Sequence, residues 1–444
     1  MNNVINKYSI PILLSTAAVL IVIGISFLFI GHSGQAVNQV TNVELKTSEE
    51  KNDISVRFAM EAYDTILDKY WMASSTYNLP KIFQLALAKA SNTNPELATN
   101  DRSGVAKMIS SAIQANPVLN KDNKLVLDTV QVVTYNLLPV GRDSLDSDKQ
   151  QVALYQAVAN VNPSVNLYSD LGVTASSSDK EIKVAYEKQA AKLANATSSA
   201  DKQKAVEVAH AYKVLSNTNT RALYTNTGSE PAASNHVIGN TLYVSLSKMS
   251  NSVAQEFAWD IDQASTTPGL DSLIIDLRGN IGGSVDVGRG MAGLFLGNNQ
   301  YAFDLFHQGD LQPQRTIFGK FDELKRYHEI AILTDGMTQS TAEVLTQTLM
   351  HFNIAHSVGV TTRGWGTVEN EYLLQTSIDP AVKYYLKLVN SITVRDDGQP
   401  IEGRGVTPNV DISKSNWTNQ LNSYFSSPSL IKAIKSSLAK GPTR

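Results

Sequence analysis

The chain has 444 residues, 42% hydrophobic and 18% charged, with a formal net charge of −3 at pH 7. That length allows two or three domains with proper cores, and without a basic excess nothing points to a nucleic-acid partner, whose phosphates would need neutralising. There is no cysteine, which excludes disulfides, thiolate metal sites and a cysteine nucleophile. No motif implies a metal or an organic cofactor.

Residues 9–31, SIPILLSTAAVLIVIGISFLFIG, contain no charged side chain. The run has about the 20 residues that span a bilayer as a helix. Lys7 precedes it and no Lys or Arg follows before Lys46, so residues 1–8 read as cytoplasmic and the bulk of the chain as extracytoplasmic. The run is longer than the roughly 7–15 apolar residues of a cleavable signal. It therefore reads as a retained single-pass anchor in the cell membrane. Residues 32–53 follow as a polar stalk.

Residues 54–160 show helical spacing, with Phe58, Ala62, Ile66 and Tyr70 approximating one face. Residues 165–228 form a separate helical unit. One helix is predicted over about 179–193 with Ile182, Ala185, Tyr186 and Ala190 inward, and another over about 202–215 with Val208, Ala211, Tyr212 and Leu215 inward. The segments NLYSDLGV, EIKVAYEK and AYKVLSNTNTRALYTNTG resemble a J-domain, the co-chaperone module that stimulates the ATPase of heat-shock chaperones. That family carries His-Pro-Asp between its two long helices. Here the place reads Ala194, Asn195 and Ala196. A chaperone partner is therefore not expected, and the unit reads as a J-like scaffold or substrate-docking domain.

From about residue 236 strands and helices alternate. NTLYVSLSKM (with Leu242, Val244 and Leu246 on one side), SLIIDLRG, EIAILTD and AHSVGV read as strands, and VAQEFAWDIDQA and VDVGRGMAGLFLG as helices. This order predicts an α/β domain with a parallel-rich sheet over 236–415, its site at the carboxyl ends of strands. Residues 416–444 read as a helical tail.

Two strand-to-helix loops could carry chemistry. In DLRGNIGGSVD, Gly279, Gly282 and Gly283 leave backbone amides free of Cβ obstruction. The spacing fits neither a dinucleotide fingerprint nor a P-loop, so the amides would suit an oxyanion hole or only a tight turn. In TDGMTQSTAE, Ser340 and Glu343 form a capping-box pattern. Ser340 could cap the helix, or it could be a nucleophile at the positive end of the helix dipole.

Taken together, LIIDLRGNIGG, AILTDGMTQSTAE, VGVTTRGWGTVENEYLL and GQPIEGRGVTPNVDI resemble, in order, the tail-specific or C-terminal-processing serine peptidases. The resemblance implies a peptide or protein substrate, Ser340 as nucleophile, and an oxyanion hole from Gly282 or Gly283 and the amide of Thr341. It also implies a base lysine in a Gly-Lys-Gly, but here that segment is Gly364, Trp365 and Gly366, and the glutamine that follows it is Glu369. Three readings stay open. A histidine oriented by Glu369 could be the base, with His236, His307, His328, His351 and His356 in the domain, and His32 and His210 outside it. Glu369 could act alone, or the domain could be a pseudo-protease that binds peptides without cutting them. No PDZ-type carboxylate-binding loop is found, and the J-like unit stands in that module's place.

Overall fold

The computed structural model describes residues 46–442. The apolar run at 9–31 and most of the stalk lie outside them. No described helix is long and apolar enough to cross a membrane. The main helices are α1 (Ile54–Lys69), α2 (Leu79–Ser91), α3 (Arg102–Ala115), α4 (Lys124–Tyr135), α5 (Asp148–Val158), α6 (Leu167–Leu171), α7 (Asp179–Leu193), α8 (Ser199–Leu215), α9 (Thr218–Thr227), α10 (Val253–Ala264), α11 (Val285–Leu296), α12 (Thr341–His351), α13 (Trp417–Tyr424) and α14 (Pro428–Leu438). The strands are β1 (Ser144–Ser147), β2 (Ala233–Ile238), β3 (Thr241–Leu246), β4 (Ser272–Asp276), β5 (Tyr301–His307), β6 (Asp310–Arg315), β7 (Glu329–Thr334), β8 (His356–Gly359), β9 (Thr367–Leu373), β10 (Tyr384–Val394) and β11 (Val410–Asp411).

The chain divides into two units, the smaller made of the described residues up to Asp68, Asn78–Ser147 and Glu371–Lys387. All four residues expected on one face of the first helix are buried. Arg102 bridges two acids, Glu50 at 2.7 Å and Asp64 at 2.7 Å. The late segment is tied in by Glu61, whose carboxylate accepts the amides of Gln375 (2.5 Å) and Thr376 (2.8 Å). Tyr384 to Lys387 pair antiparallel with β1. Helical spacing alone predicted neither this strand pair nor the return of residues 371–387, because both depend on partners far away in sequence.

The larger unit, Lys69–Tyr77, Asp148–Asn370 and Leu388–Arg444, holds the J-like helices and the α/β part. Helix α7 has the bounds the sequence predicted, and a capping box between Ser178 and Glu181 fixes its start. Helix α8 begins a few residues earlier than expected, capped by Ser198. Leu167, Leu171, Ile182, Val208, Ala211, Val214 and Leu215 form this part's own core. Tyr186 and Tyr212, both expected inward, are only partly buried and stack on each other, with ring centroids 4.0 Å apart.

The α/β part is a six-stranded sheet in the order β11-β8-β7-β4-β3-β2. All its pairs are parallel except β2 with β3, at one edge. Side chains alternate across it, as strand geometry requires. Leu242, Val244 and Leu246 join Leu273, Ile275 and Ile332 under α10, α11 and α12, whereas Tyr243, Ile274, Ala331 and Leu333 face α13 and α14. The predicted helical tail is thus the second layer of the fold. Outside this sheet, β5 pairs antiparallel with β6 and with Ile392 to Val394 of β10.

Two buried charges anchor this architecture. Asp276 ends β4 fully buried and accepts from the Arg278 guanidinium and the Tyr243 hydroxyl. Arg278 in turn donates to the carbonyls of Ser437 (3.0 Å) and Lys440 (3.0 Å), satisfying the end of α14. Arg278→Ala would strand Asp276 as an uncompensated buried charge and free the C-terminal helix. Urea unfolding should register a loss of about 3–5 kcal/mol.

On α10, the Glu256 carboxylate accepts the amides of Ala232 (2.6 Å) and Ala233 (2.8 Å), where the chain enters β2. Burial pushes its pKa up to about 7, against the pull of those donors. Burial likewise pushes Asp260, one turn further on, up to about 6. Both values lie above the ordinary 4.5 and 3.8. Their contribution to stability is therefore full only at the acid side and is lost as pH rises through about 6 and then about 7. Unfolding followed at pH 5 and pH 8 should show the protein less stable at pH 8, with Glu256 accounting for a change on the order of 3 kcal/mol. Glu256→Gln should flatten that dependence.

Candidate active site

The carboxyl ends of β3, β4 and β7 meet at one edge of the sheet, and three polar side chains lock their loops together. Asp335, just after β7, accepts the amides of Gly279, Met337 and Thr338, each at 2.9 Å. Asn280, fully buried, donates to the carbonyl of Leu246 (2.8 Å) and accepts the amide of Gly282 (2.8 Å). The Thr338 hydroxyl donates to the carbonyl of Leu277 (2.9 Å), and the Gln339 amide to that of Asn280 (2.9 Å). Sequence reading did not single out Asn280 or Asp335. Their place directly after apolar strands was the available signal.

Ser340 is held there at φ 56° and ψ −129°, a backbone conformation that costs a non-glycine residue of order 1–3 kcal/mol. An ordinary N-cap residue is extended. The Glu343 amide donates to the backbone carbonyl of Ser340 (2.8 Å). Opposite the serine is Gly282, at φ +85°, where an added Cβ would come within 2.6 Å of the Ser340 Cβ and 3.1 Å of its Oγ. Only glycine fits there. The Gly282 amide is committed to Asn280, so Gly283 is the neighbouring loop amide. Among the described residues, the amides of Gly283 and Thr341 donate no hydrogen bond. The Thr341 hydroxyl donates to the Gly283 carbonyl (2.9 Å), fastening the start of α12 to the glycine loop.

Glu343, fully buried, is more than half of a capping box. Its carboxylate accepts the amides of Ser340 (2.8 Å), Gly364 (2.7 Å) and Trp365 (2.8 Å), and the hydroxyl of Thr362. Burial raises its pKa while the four donors favour the charged form. The same Thr362 hydroxyl accepts from the amide of Val406 (2.7 Å), and Gly403 donates to the Gly364 carbonyl (2.9 Å). The closing Gly-Arg-Gly-Val segment is thereby bound to the loop between β8 and β9 that carries Trp365.

Trp365, which the resemblance sets at the place of the base lysine, is half-buried, with the Arg363 guanidinium 5.6 Å from its ring centroid. The Glu369 carboxylate accepts the Thr367 hydroxyl at 2.5 Å. Among the described residues no histidine pairs with Glu369 or with Ser340. His351 ends α12, about 16 Å along the helix from Ser340, and pairs with Asp396 (3.0 Å). His356 starts β8 and packs on Tyr424 and Phe425, while exposed His328 precedes β7; both stand at the amino edge of the sheet. His236 stacks on Tyr243, on the α14 face, and burial lowers its pKa. His307 donates through Nδ1 to the Asn390 carbonyl (2.6 Å), and His210 binds Glu230 (2.5 Å). His32 lies outside the described residues. No group of three or more metal-ligating side chains is present among them.

A serine in a forced turn at the head of a helix, facing a glycine loop on a parallel-rich sheet, is an arrangement found in hydrolases. Two segments are similar to known families: residues 240–412 match Peptidase family S41, and residues 166–225 match the DnaJ domain. Both matches are partial, the first covering residues 240–412 and the second residues 166–225 of the 444. A "Probable CtpA-like serine protease" of Staphylococcus aureus (strain N315) is 28% identical over 174 residues, 39% of this chain and 34% of that protein. One of the same description from Staphylococcus epidermidis is 26% identical over 175 residues, again 39% and 34%. The chain thus matches about a third of the length of these curated relatives. Among solved structures, a photosystem II D1 C-terminal processing protease aligns with a TM-score of 0.47 at 12% identity, covering 83% of this chain and 94% of that one.

Gly282→Ala should force Ser340 out of position and destabilise the protein by about 1–3 kcal/mol in urea unfolding. Gly319→Ala, at an open position with nothing within 4 Å, should stay within about 0.5 kcal/mol of wild type.

Proposed function

We propose that this protein is a membrane-anchored, extracytoplasmic serine endopeptidase of the tail-specific type. Ser340 attacks a substrate peptide carbonyl, and the amides of Gly283 and Thr341 receive the oxyanion. The observation that carries this reading is the backbone of Ser340, held outside the ordinary cap conformation and facing Gly282 across a gap that no side chain could occupy. A serine kept only to cap a helix has no need of that strain. The match to S41 supports the reaction class. The charge asymmetry around residues 9–31 supports the membrane location. The J-like unit, which lacks His-Pro-Asp, acts as a docking module for substrate and not as a partner of a chaperone ATPase.

Trp365 in place of lysine supports a second reading, a tethered scaffold that binds peptides without cleaving them. Purified full-length protein in detergent, treated with a fluorophosphonate probe and with an unfolded protein substrate, separates the two. The peptidase reading expects labelling and cleavage, both reduced about 10³-fold or more by Ser340→Ala. Equal binding of the unfolded protein by wild type and variant, with no labelling of either, would leave the scaffold.

A further inference from the structure

A second polar site lies on α10, where the J-like helices meet the α/β part. Glu256, Trp259, Asp260 and Gln263 stand three and four residues apart, so one stripe of the helix carries all four. That stripe lines a cavity of about 260 Å³, faced by Asn219 and Thr220 at the start of α9 and by Ala233 of β2. Ligand pockets run from roughly 300 to 1,000 Å³, so this one suits a head group or a single long side chain. It draws residues from both matched segments, and neither segment alone contains it.

Two carboxylates of the stripe are only half satisfied. Glu256 Oε2 accepts the amides of Ala232 and Ala233, and Asp260 Oδ1 accepts the side-chain amide of Asn235 (2.6 Å). Their other oxygens, Glu256 Oε1 and Asp260 Oδ2, are buried without a hydrogen-bond partner among the described residues. Glu256 as a whole is 3% exposed. A buried acceptor of this kind calls for a donor. The start of α9 turns its own donors inward: Asn217 accepts the amides of Asn219 (2.9 Å) and Thr220 (3.2 Å), and the Thr220 hydroxyl donates to the Val214 carbonyl (2.6 Å). Lys213 of α8 favours the charged form of Asp260, and the Ser252 hydroxyl that of Glu256, but burial outweighs both. The two carboxylates also repel each other, and exposed Asp262 adds a third negative charge to the lining. No three metal-ligating side chains converge among the described residues. Partly buried Trp259 offers instead a ring face of the kind that attracts organic cations.

We propose that this cavity binds an organic cation, a guanidinium or primary ammonium group, whose hydrogens are accepted by Glu256 Oε1 and Asp260 Oδ2 beside the ring of Trp259. The proposal does not depend on Ser340 being a nucleophile. Two sources share this chemistry: an arginine or lysine side chain carried by a protein, and a free amine. Burial holds the carboxyls of Glu256 and Asp260 at about 7 and about 6, so the site gains its charge only as pH rises through that range. Affinity for a cation rises with it and falls away in acid.

The test is a calorimetric titration of full-length protein in detergent, with a thermal melt of each variant. Three probes are used: agmatine, acetyl-arginine amide and its neutral isostere acetyl-citrulline amide. At pH 8 wild type should bind at least one of the two cations with a Kd below about 1 mM, and should not bind the citrulline compound. At pH 5 that affinity should fall about tenfold or more, and Glu256→Gln and Asp260→Asn should each lose about as much at pH 8. Binding of agmatine alone would assign the site to a free amine, whereas binding of acetyl-arginine amide would assign it to a side chain carried by a protein. Four results would each overturn the proposal: no binding of either cation up to about 10 mM, equal binding of the citrulline compound, an affinity unchanged at pH 5, or an affinity that either variant leaves within threefold of wild type. Should Glu256→Gln melt early, Asp260→Asn, at a less buried position, decides alone: loss supports the proposal and retention overturns it.

Discussion

One buried carboxylate holds the candidate active site together. Glu343 accepts the amide of Ser340, the amides of Gly364 and Trp365 and the hydroxyl of Thr362. Four donors converging on one fully buried side chain can be satisfied only if the Ser340 turn, the segment after β8 and the closing glycine segment all stand in their native places. The cost of burying the charge is met by geometry, so the geometry cannot relax without exposing that cost again. Asp335 and Asn280 do the same for the loops after β7 and β4. The site is a lattice of backbone amides organised by three polar side chains.

Such a lattice explains how the site keeps its shape whatever side chain stands at position 365. Trp365 contributes its backbone N–H to Glu343, as any residue but proline would at that position. A different side chain there would leave the hub undisturbed. The backbone conformation of the Ser340 turn and its glycine loop tolerates little change, whereas the side chain at position 365 can vary without disturbing these bonds.

Much of the local structure was legible in the sequence, and the reason differs by element. Helix α7 was readable to its ends because Ser178 and Glu181 mark its start and Ile182 falls on a regular apolar face. Strand β4 was readable because a strand buried on both sides is a short, continuous apolar run. Ser340 and the glycine loop could be located, but not their roles, since a cap and a nucleophile use the same residue at the same place. Glu343 looked like a local capping partner because three of its four donors lie outside the box, two of them more than twenty residues downstream. The pairing of β1 with β10 and the bond from Glu61 to Thr376 join residues hundreds of positions apart, and no periodicity reports such contacts. The histidines illustrate the same limit: composition counts them, while only the fold decides which edge of a sheet each one reaches.

The grip of Arg278 on the end of α14 bears on when the site can first form. The loop that begins at Asp276 carries the glycines facing Ser340, and its arginine closes on carbonyls contributed more than 150 residues later. While the chain is still being synthesised, those carbonyls do not yet exist, and the Asp276–Arg278 pair has nothing to lock against. The carboxyl edge of the sheet is thus completed only after the last helix arrives.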